Sequence, residues 1–201
     1  MAADPLRSLR HFARRRASFS RRGVVESGIH INALNRLVRT GELERIARGR
    51  YRHPEAPFTE HHGLALTAAA VPKGVVCLIS ALSFHQIGTQ LPHEVWIALD
   101  RRARRPSLPY PRLRVLRFGG AALTEGIETH HIEGTIVRVY NPAKTIADLF
   151  KYRNKVGLDV FLEAAKEGWR ARRFTIADVC RYARICRVDR VMTPYLEMLV
   201  A

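Results

Sequence analysis

One group of polar residues in the middle of the chain has the types needed for nucleophilic catalysis. Ser80, Ser83 and His85 lie close together, and Asp100 follows. A catalytic serine needs a base within hydrogen-bond distance and donors that stabilise an oxyanion. The sequence has no GxSxG motif, which would place such a serine on a sharp turn. We therefore interpret Ser80 as the cap of the following helix and His85 as a packing or capping residue near Gly88.

Two pairs of adjacent histidines, His61-His62 and His130-His131, suggest metal binding. Adjacent residues face opposite sides of a strand and diverge by about 100° around a helix, so such a pair does not readily bind one ion. Neither pair belongs to an HExxH motif, and none of the three cysteines has CxxC spacing. We predict no metal ion and no cofactor. The odd cysteine count favours a reducing compartment, and we expect a cytoplasmic protein without a signal peptide or membrane span.

Three carboxylates in the last third of the sequence, Asp148, Asp159 and Glu163, could hold magnesium for a phosphotransferase. However, the sequence contains neither a GxxxxGK[ST] loop nor the kinase motifs. We interpret these carboxylates as solvent-side residues or helix-end partners of nearby lysines and arginines. The phosphotransferase stays open as an alternative, but we expect no enzyme.

The polar pattern of residues 31–40 points to a different chemistry, the recognition of bases. If these residues form a helix, the 3.6-residue period divides them into two faces. One face carries Ile31, Leu34, Leu37 and Val38, and the other carries Asn32, Ala33, Asn35, Arg36, Arg39 and Thr40. Asparagine and arginine are the side chains that form paired hydrogen bonds with the edges of adenine and guanine.

The positive charge of the chain is concentrated in the same region. The net charge is +16, and residues 1–52 hold 13 arginines against four acidic residues, which gives +9. A basic segment of this kind favours a polyanionic partner such as DNA. A solvated three-helix module that contacts a protein is the alternative.

The elements that would position these residues resemble a winged helix-turn-helix. Asp4 and Pro5 mark the start of a first helix, and Ser20 caps a second helix that ends at Gly28. A third helix opens at His30 or Ile31 and ends at Gly41, and a hairpin follows around Gly49. We predict a DNA-binding domain over residues 1–54.

The remainder of the chain, residues 59–201, is predicted to form a mixed α+β domain with a helical C-terminal tail. An alanine-rich helix opens at Thr59 and Glu60, and the apolar run of residues 75–80 is predicted to be a buried strand. Further strands are predicted at 94–100 and 112–118, followed by a hairpin that turns at Glu133-Gly134. From Asn141 onward the spacing is helical.

The sequence resembles the AbiEi-type antitoxins of the AbiE abortive-infection toxin–antitoxin modules. In the first domain the resemblance rests on "GIHINALNRLVRTGELERIARGRYR". In the second it rests on "VPKGVVCLISALSFHQIGTQLPHEVWIALDRRARRP" and "YNPAKTIADLFKYRNKVGLDVFLEAAKEG". It therefore covers nearly the whole chain, and the stretches in the second domain are the more specific.

The resemblance implies an antitoxin and transcriptional autorepressor. Its winged helix would bind inverted repeats in its own promoter, and its second domain would counter a nucleotidyltransferase-like toxin, directly or indirectly. The alternatives are a phosphotransferase-like enzyme that modifies the toxin, as related systems suggest, and a plain DNA-binding regulator without a toxin partner. The expected DNA-binding residues are Arg21, Arg22, Asn32, Asn35, Arg36, Arg39, Arg48 and Arg50. Residues that could contact DNA or a partner from the second domain are Arg101, Arg102, Arg104, Arg105, Lys144, Lys151, Arg153 and Lys155.

Overall fold

The computed structural model of the chain describes residues 4–16, 18–47, 49–56 and 59–200. By its internal contacts the chain divides into two compact units. Unit 1 contains Met1–Pro72 and His131–Val137, and unit 2 contains Lys73–His130 and Arg138–Ala201. The domain boundaries expected from the sequence, residues 1–54 and 59–201, stay a prediction. The mixed α+β class is confirmed.

Unit 1 begins with three helices and a small antiparallel sheet. The elements in chain order are α1 (Pro5–Arg14), β1 (Phe19–Ser20), α2 (Arg21–Glu26), α3 (Ile31–Arg39), β2 (Glu44–Ala47) and β3 (Arg50–Arg52). The strands lie in the order β1-β3-β2, and Phe19 pairs with Tyr51. The three helices and the hairpin appear in the order predicted from the sequence, whereas strand β1 between the first two helices was not predicted.

Local capping residues set the ends of these helices. The Asp4 carboxylate accepts a hydrogen bond from the Leu6 amide at 3.1 Å, and the Ser20 hydroxyl accepts one from the Gly23 amide at 2.9 Å. After α3, Gly41 has a φ of +77°, the left-handed conformation that suits glycine at a helix end. The predicted starts of all three helices and the predicted ends of the second and third are therefore confirmed.

The core of unit 1 lies where the three helices meet. Leu9 and Ala13 of α1, Val24 of α2, and Leu34 and Leu37 of α3 are almost fully buried. The buried stripe of α3 also includes Ala33, which the sequence had placed on the outer face. That prediction was wrong because Ala33 lies one helical turn before Leu37 and shares its face.

Replacing Ser20 by alanine should weaken α2. The change leaves the Gly23 amide without its acceptor and typically costs about 1 kcal/mol. Hydrogen exchange of the Val24 and Val25 amides would measure it, with faster exchange expected in Ser20→Ala. Ser20→Asp keeps an acceptor at the cap and should protect these amides as the wild type does. Equal protection in Ser20→Ala and Ser20→Asp would contradict a capping role.

Unit 1 also contains α4 (His62–Ala70) and the tip of a hairpin from later in the chain. The Glu133 carboxylate accepts hydrogen bonds from the Thr59 amide at 2.7 Å and the Thr59 hydroxyl at 2.9 Å. Its second oxygen lies 2.8 Å from His62 Nδ1. Glu133 and Gly134 both have positive φ, as the predicted turn requires. One buried side chain therefore connects the hairpin tip to the start of α4.

Unit 2 contains most of a five-stranded mixed sheet. The elements are β4 (Val75–Val76), α5 (Leu78–His85), β5 (Val95–Asp100), β6 (Leu113–Phe118), α6 (Ala121–Thr124), β7 (Ile127–Ile132) and β8 (Thr135–Tyr140). The strand order is β6-β5-β4-β8-β7. β5 runs parallel to β6 and antiparallel to β4, whereas β4 runs parallel to β8.

The buried strand predicted for residues 75–80 is mostly a helix. Only Val75–Val76 pair in the sheet, and α5 begins at Leu78. Ser80 accordingly lies inside α5 and does not cap it. A short apolar run does not distinguish a buried strand from a buried helix by its periodicity, which explains this error.

The C-terminal part of unit 2 is helical, as predicted. It consists of α7 (Pro142–Lys151), α8 (Arg153–Val156), α9 (Leu158–Arg170), α10 (Ile176–Cys186) and α11 (Asp189–Val200). Helix α7 lies at the centre and packs against α5, α9 and α10. Its Ile146 and Phe150, together with Phe161 of α9 and Val179 of α10, are fully buried.

Candidate nucleic-acid interface

The outer face of α3 presents polar side chains that have no partner among the residues that the structure describes. Asn32, Asn35, Arg36 and Arg39 are all exposed. Within the described residues, none of these four side chains forms a hydrogen bond or an ion pair. The predicted spacing therefore brings the four residues to one side of the helix, where amide and guanidinium groups can bind an external acceptor.

The start of α3 is fixed by an unusual cap. The imidazole Nδ1 of His30 accepts a hydrogen bond from the Asn32 amide at 3.3 Å. Because Nδ1 acts as the acceptor, the proton of the neutral ring lies on Nε2. The sequence identified His30 as a helix start but gave no sign that its ring would form the cap.

The two arginines at the start of α2 have different surroundings. Arg22 Nε lies 2.6 Å from Glu26 Oε1 one turn along the helix, so its charge is partly neutralised. Arg21 is exposed, and its backbone amide donates to the Gly49 carbonyl at 3.2 Å. This bond joins the start of α2 to the β2–β3 hairpin, so Arg21 lies beside the hairpin that was predicted to be the wing.

The two arginines predicted at the wing are only partly described. Arg48 lies outside the described residues. Arg50 is half-buried, and its guanidinium donates to the Ser18 hydroxyl at 3.3 Å. Burial lowers the pKa of Arg50 from its ordinary value. Arg50 is therefore less available to an external phosphate than the arginines of α3.

Most of the basic residues predicted in unit 2 are at the surface. Arg101, Arg102, Arg104 and Arg105 are exposed in a segment without helix or strand between β5 and β6. Lys151 and Lys155 are also exposed. Arg153 is half-buried, lies 4.4 Å over the Phe150 ring and donates to the Phe150 carbonyl at 2.8 Å.

Lys144 is the exception, and its predicted role as a surface contact was wrong. The side chain is fully buried, and its ammonium lies 2.5 Å from the Asp148 carboxylate, which is also fully buried. The ammonium lies 4.3 Å from the Tyr140 ring centre and 5.0 Å from that of Phe118. Of the two interpretations of Asp148, exposure to solvent was wrong because α7 is buried on nearly all sides, whereas pairing with a nearby lysine agrees with the structure.

The groups that surround Asp148 shift the pKa of its carboxyl group in opposite directions. Burial raises the pKa of Asp148, whereas the Lys144 ammonium and the Cys186 thiol oppose this effect. Cys186 Sγ lies 3.1 Å from the second carboxylate oxygen. Burial raises the pKa of Cys186 to about 12, so its sulfur is a thiol that donates to the carboxylate. This specific pair was not identified from the sequence, and the spacing of a lysine and an aspartate four residues apart between apolar residues of α7 would have been its signal.

The residues considered for nucleophilic catalysis form other contacts. The Ser80 hydroxyl accepts from the Trp96 amide at 2.9 Å and donates to the Glu94 carbonyl at 3.4 Å. His85 Nε2 donates to the Tyr140 carbonyl at 2.8 Å. Within the described part of the chain, Ser80 and His85 therefore share no hydrogen bond.

His85 should make stability depend on pH. Burial lowers the pKa of His85, and the bond to Tyr140 opposes this shift. As the pH falls below about 6.5, the unfolded chain therefore takes up the proton before the folded chain does. His85 thus stabilises the fold above that pH, and this contribution is lost as the pH falls through it.

We expect urea unfolding midpoints to drop between about pH 7.5 and about pH 5.5 in the wild type. His85→Gln can donate to the same carbonyl but does not titrate, so the drop should be smaller in this variant. The same pH dependence in both proteins would contradict the assignment to His85.

Across residues 4–16, 18–47, 49–56 and 59–200, no cluster of three or more histidine, cysteine or acidic side chains is arranged to hold a metal ion. No helix in these ranges has the length and apolar character needed to span a bilayer.

Comparison with known proteins agrees with the sequence resemblance in unit 1. Residues 7–54 match the family model described as "Transcriptional regulator, AbiEi antitoxin". This match covers α1 from its third residue, all of α2 and α3, and the small sheet, so this segment is similar to AbiEi antitoxins. No curated protein sequence matches the chain.

A solved structure resembles the fold of the chain more widely. The crystal structure of the RV2827C protein from Mycobacterium tuberculosis aligns with a TM-score of 0.57 and 14% sequence identity. The alignment covers 88% of this chain and 69% of that one. A similarity at this sequence identity shows that the two proteins share a fold and carries no information about function.

Proposed function

We propose that the protein is an antitoxin and transcriptional autorepressor of a toxin–antitoxin operon. In this proposal, α1 to β3 form a winged helix-turn-helix, and α3 enters the major groove of inverted repeats in the operon's promoter. The observation that carries the proposal is the outer face of α3, where Asn32, Asn35, Arg36 and Arg39 are exposed without partners among the described residues. The AbiEi antitoxin match over residues 7–54 supports it.

The dimensions and chemistry of α3 suit this role. A nine-residue helix is roughly 14 Å long at about 1.5 Å per residue, and the major groove is about 12 Å wide. Arginine binds guanine O6 and N7, and asparagine binds adenine N6 and N7. Asn32 and Asn35 lie in the N-terminal half of α3, the part that reaches base edges in this motif.

The charge of the N-terminal segment would supply the affinity that does not depend on sequence. Residues 1–52 carry +9 of the net +16. Exposed Arg21 lies at the start of α2, where phosphate contacts are common in helix-turn-helix proteins. Each phosphate that is neutralised releases counterions, so binding should weaken steeply with salt.

The test is binding of the full chain to a labelled fragment of its own upstream region. Random-sequence duplex serves as competitor, and the titration is repeated at about 50 mM and about 200 mM salt. We expect the upstream fragment to bind at least about 1,000-fold more tightly than random DNA. If each copy neutralises about four phosphates, affinity should fall roughly 100-fold at the higher salt. Equal affinity for both DNAs would contradict the autorepressor.

The antitoxin activity is assigned to unit 2, which would counter a nucleotidyltransferase-like toxin. An open reading frame for such a protein beside this gene is expected. Expression of the toxin alone should arrest growth, and co-expression of this chain should restore it. A chain without a toxin gene beside it, or one that gives no rescue, would instead be a plain regulator.

The proposal assigns no chemical step to unit 2. Of the carboxylates considered for magnesium, Asp148 is paired with Lys144. Glu163 accepts hydrogen bonds from the Thr89 amide and hydroxyl at 3.0 and 2.8 Å. Incubation with the toxin, ATP and magnesium should therefore leave the mass of the toxin unchanged. A gain of one phosphoryl group would contradict this part of the proposal.

A further inference from the structure

A cleft lies in unit 1 between one face of α1 and the turn that joins α2 to α3. It encloses about 800 Å³, within the range of about 300–1,000 Å³ that is typical of small-molecule sites. All the residues that line it, from Pro5 to His30 together with Gly134, belong to unit 1. The proposed contact of α3 with DNA assigns no role to this cleft.

The apolar part of the lining is held in place by neighbouring side chains. Phe12 packs edge to face against Phe19, with ring centres 5.5 Å apart. The guanidinium of Arg16 lies 3.9 Å over the Phe12 ring and donates to the Phe12 carbonyl at 3.2 Å. The Ile29 side chain is nearly buried. These contacts give the cleft an ordered aromatic and aliphatic wall.

The polar part of the lining consists of hydrogen-bond donors. Exposed His11, Arg15 and His30 line the cleft, and no described residue of the lining carries a carboxylate. His30 Nδ1 accepts from the Asn32 amide, so its Nε2 bears a proton. Ser8 also lines the cleft, and among the described residues its hydroxyl has no partner. Such a set of donors suits a ligand with a carboxylate, phosphate or sulfonate group.

We propose that this cleft is a binding site for a small organic anion with an aromatic body. The rings of the ligand would pack on Phe12 and Ile29, and its anionic group would lie among His11, Arg15 and His30. This inference does not depend on DNA binding, because it concerns a ligand measured directly on the free protein.

The probe for the first test is 8-anilinonaphthalene-1-sulfonate, an aromatic anion whose fluorescence rises in apolar surroundings. Titration into the full chain should give saturable binding to one site. N-phenyl-1-naphthylamine has the same rings without the sulfonate, and we expect it to bind at least about tenfold more weakly. Equal affinity for both probes, or no saturable binding, would overturn the proposal.

Substitutions should locate the site. Arg15→Gln removes a cation from the lining, and Ser8→Leu fills part of the cleft, so each should weaken binding by about tenfold or more. Arg7→Gln is the matched control, because Arg7 is exposed on the same helix but does not line the cleft. Its affinity should stay within about twofold of the wild type.

Ser8→Leu could perturb the packing of α1. Arg15→Gln should not, because Arg15 is at the surface, so this variant still tests the site. Equal loss of affinity in Arg7→Gln and Arg15→Gln would overturn the assignment to the cleft. Displacement of the probe by random-sequence duplex would also overturn it, because the cleft would then belong to the DNA-binding surface.

Discussion

Replacement of Asp148 by alanine should lower the free energy of unfolding by about 3–5 kcal/mol. The wild-type carboxylate lies 2.5 Å from the Lys144 ammonium, and neither side chain is exposed to solvent. Alanine removes the only carboxylate that pairs with this ammonium in the described structure. The lysine must then stay charged without a partner or give up its proton, and both alternatives are costly in a buried site.

Urea unfolding followed by tryptophan fluorescence would measure this effect. The sequence has two tryptophans, Trp96 and Trp169, and both belong to unit 2, which contains the ion pair. Lys151→Ala is the matched control, because Lys151 is an exposed cation on the same helix. We expect this control to lie within about 0.5 kcal/mol of the wild type.

A double variant separates the value of the pair from the cost of breaking it. Lys144→Met with Asp148→Leu replaces both charges by apolar side chains of similar size and leaves no unpaired charge; only the weak donor Cys186 loses its acceptor. The double variant should be much closer in stability to the wild type than Asp148→Ala is. If the double variant were as unstable as Asp148→Ala, lost packing would be the cause and the ion-pair explanation would fail.

Features fixed by local sequence were predicted well. Asp4, Ser20 and Asn141 accept hydrogen bonds from amides two or three residues ahead, so the chain within one turn determines these caps. The hairpin turn at Glu133-Gly134 depends on two adjacent residues with positive φ. Such features need no knowledge of the tertiary fold.

Features that depend on distant contacts were predicted poorly. Lys144 and Asp148 resemble an exposed pair one helical turn apart, and only the packing of other helices around α7 shows that they are buried. The first residues of α5, Leu78 and Ile79, have apolar side chains that suit a buried strand equally well. Burial on all sides removes the periodicity on which sequence-based prediction depends.

In the candidate interface, some positions also follow from local sequence, and others depend on distant contacts. The exposed positions of Asn32, Asn35 and Arg36 follow directly from helical spacing. The contact of Arg50 with Ser18 joins residues 32 positions apart, and spacing does not predict it. The cleft beside α1 likewise depends on how α1 packs near the turn before α3.

Arg36 is expected to read a base, and its replacement should therefore reduce specificity. Arg36→Ala should cost about 1–3 kcal/mol on the promoter fragment, which is roughly a 5- to 150-fold loss of affinity. The side chain is exposed on α3 without a partner in the described structure, so the change should leave the fold intact. Competition titrations against promoter and random duplex at one fixed salt concentration would measure the ratio of the two affinities.

Two further variants separate base reading from attraction to phosphate. Arg36→Lys keeps the positive charge but loses the planar pair of donors that matches guanine, so it should lose specificity while it retains most of its affinity for random DNA. Arg21→Ala should weaken binding to both duplexes alike, because Arg21 is exposed at the start of α2, where phosphate contacts are common. If Arg36→Ala reduced binding to promoter and random DNA by the same factor, Arg36 would be a phosphate contact, and base recognition would have to rest on Asn32, Asn35 and Arg39.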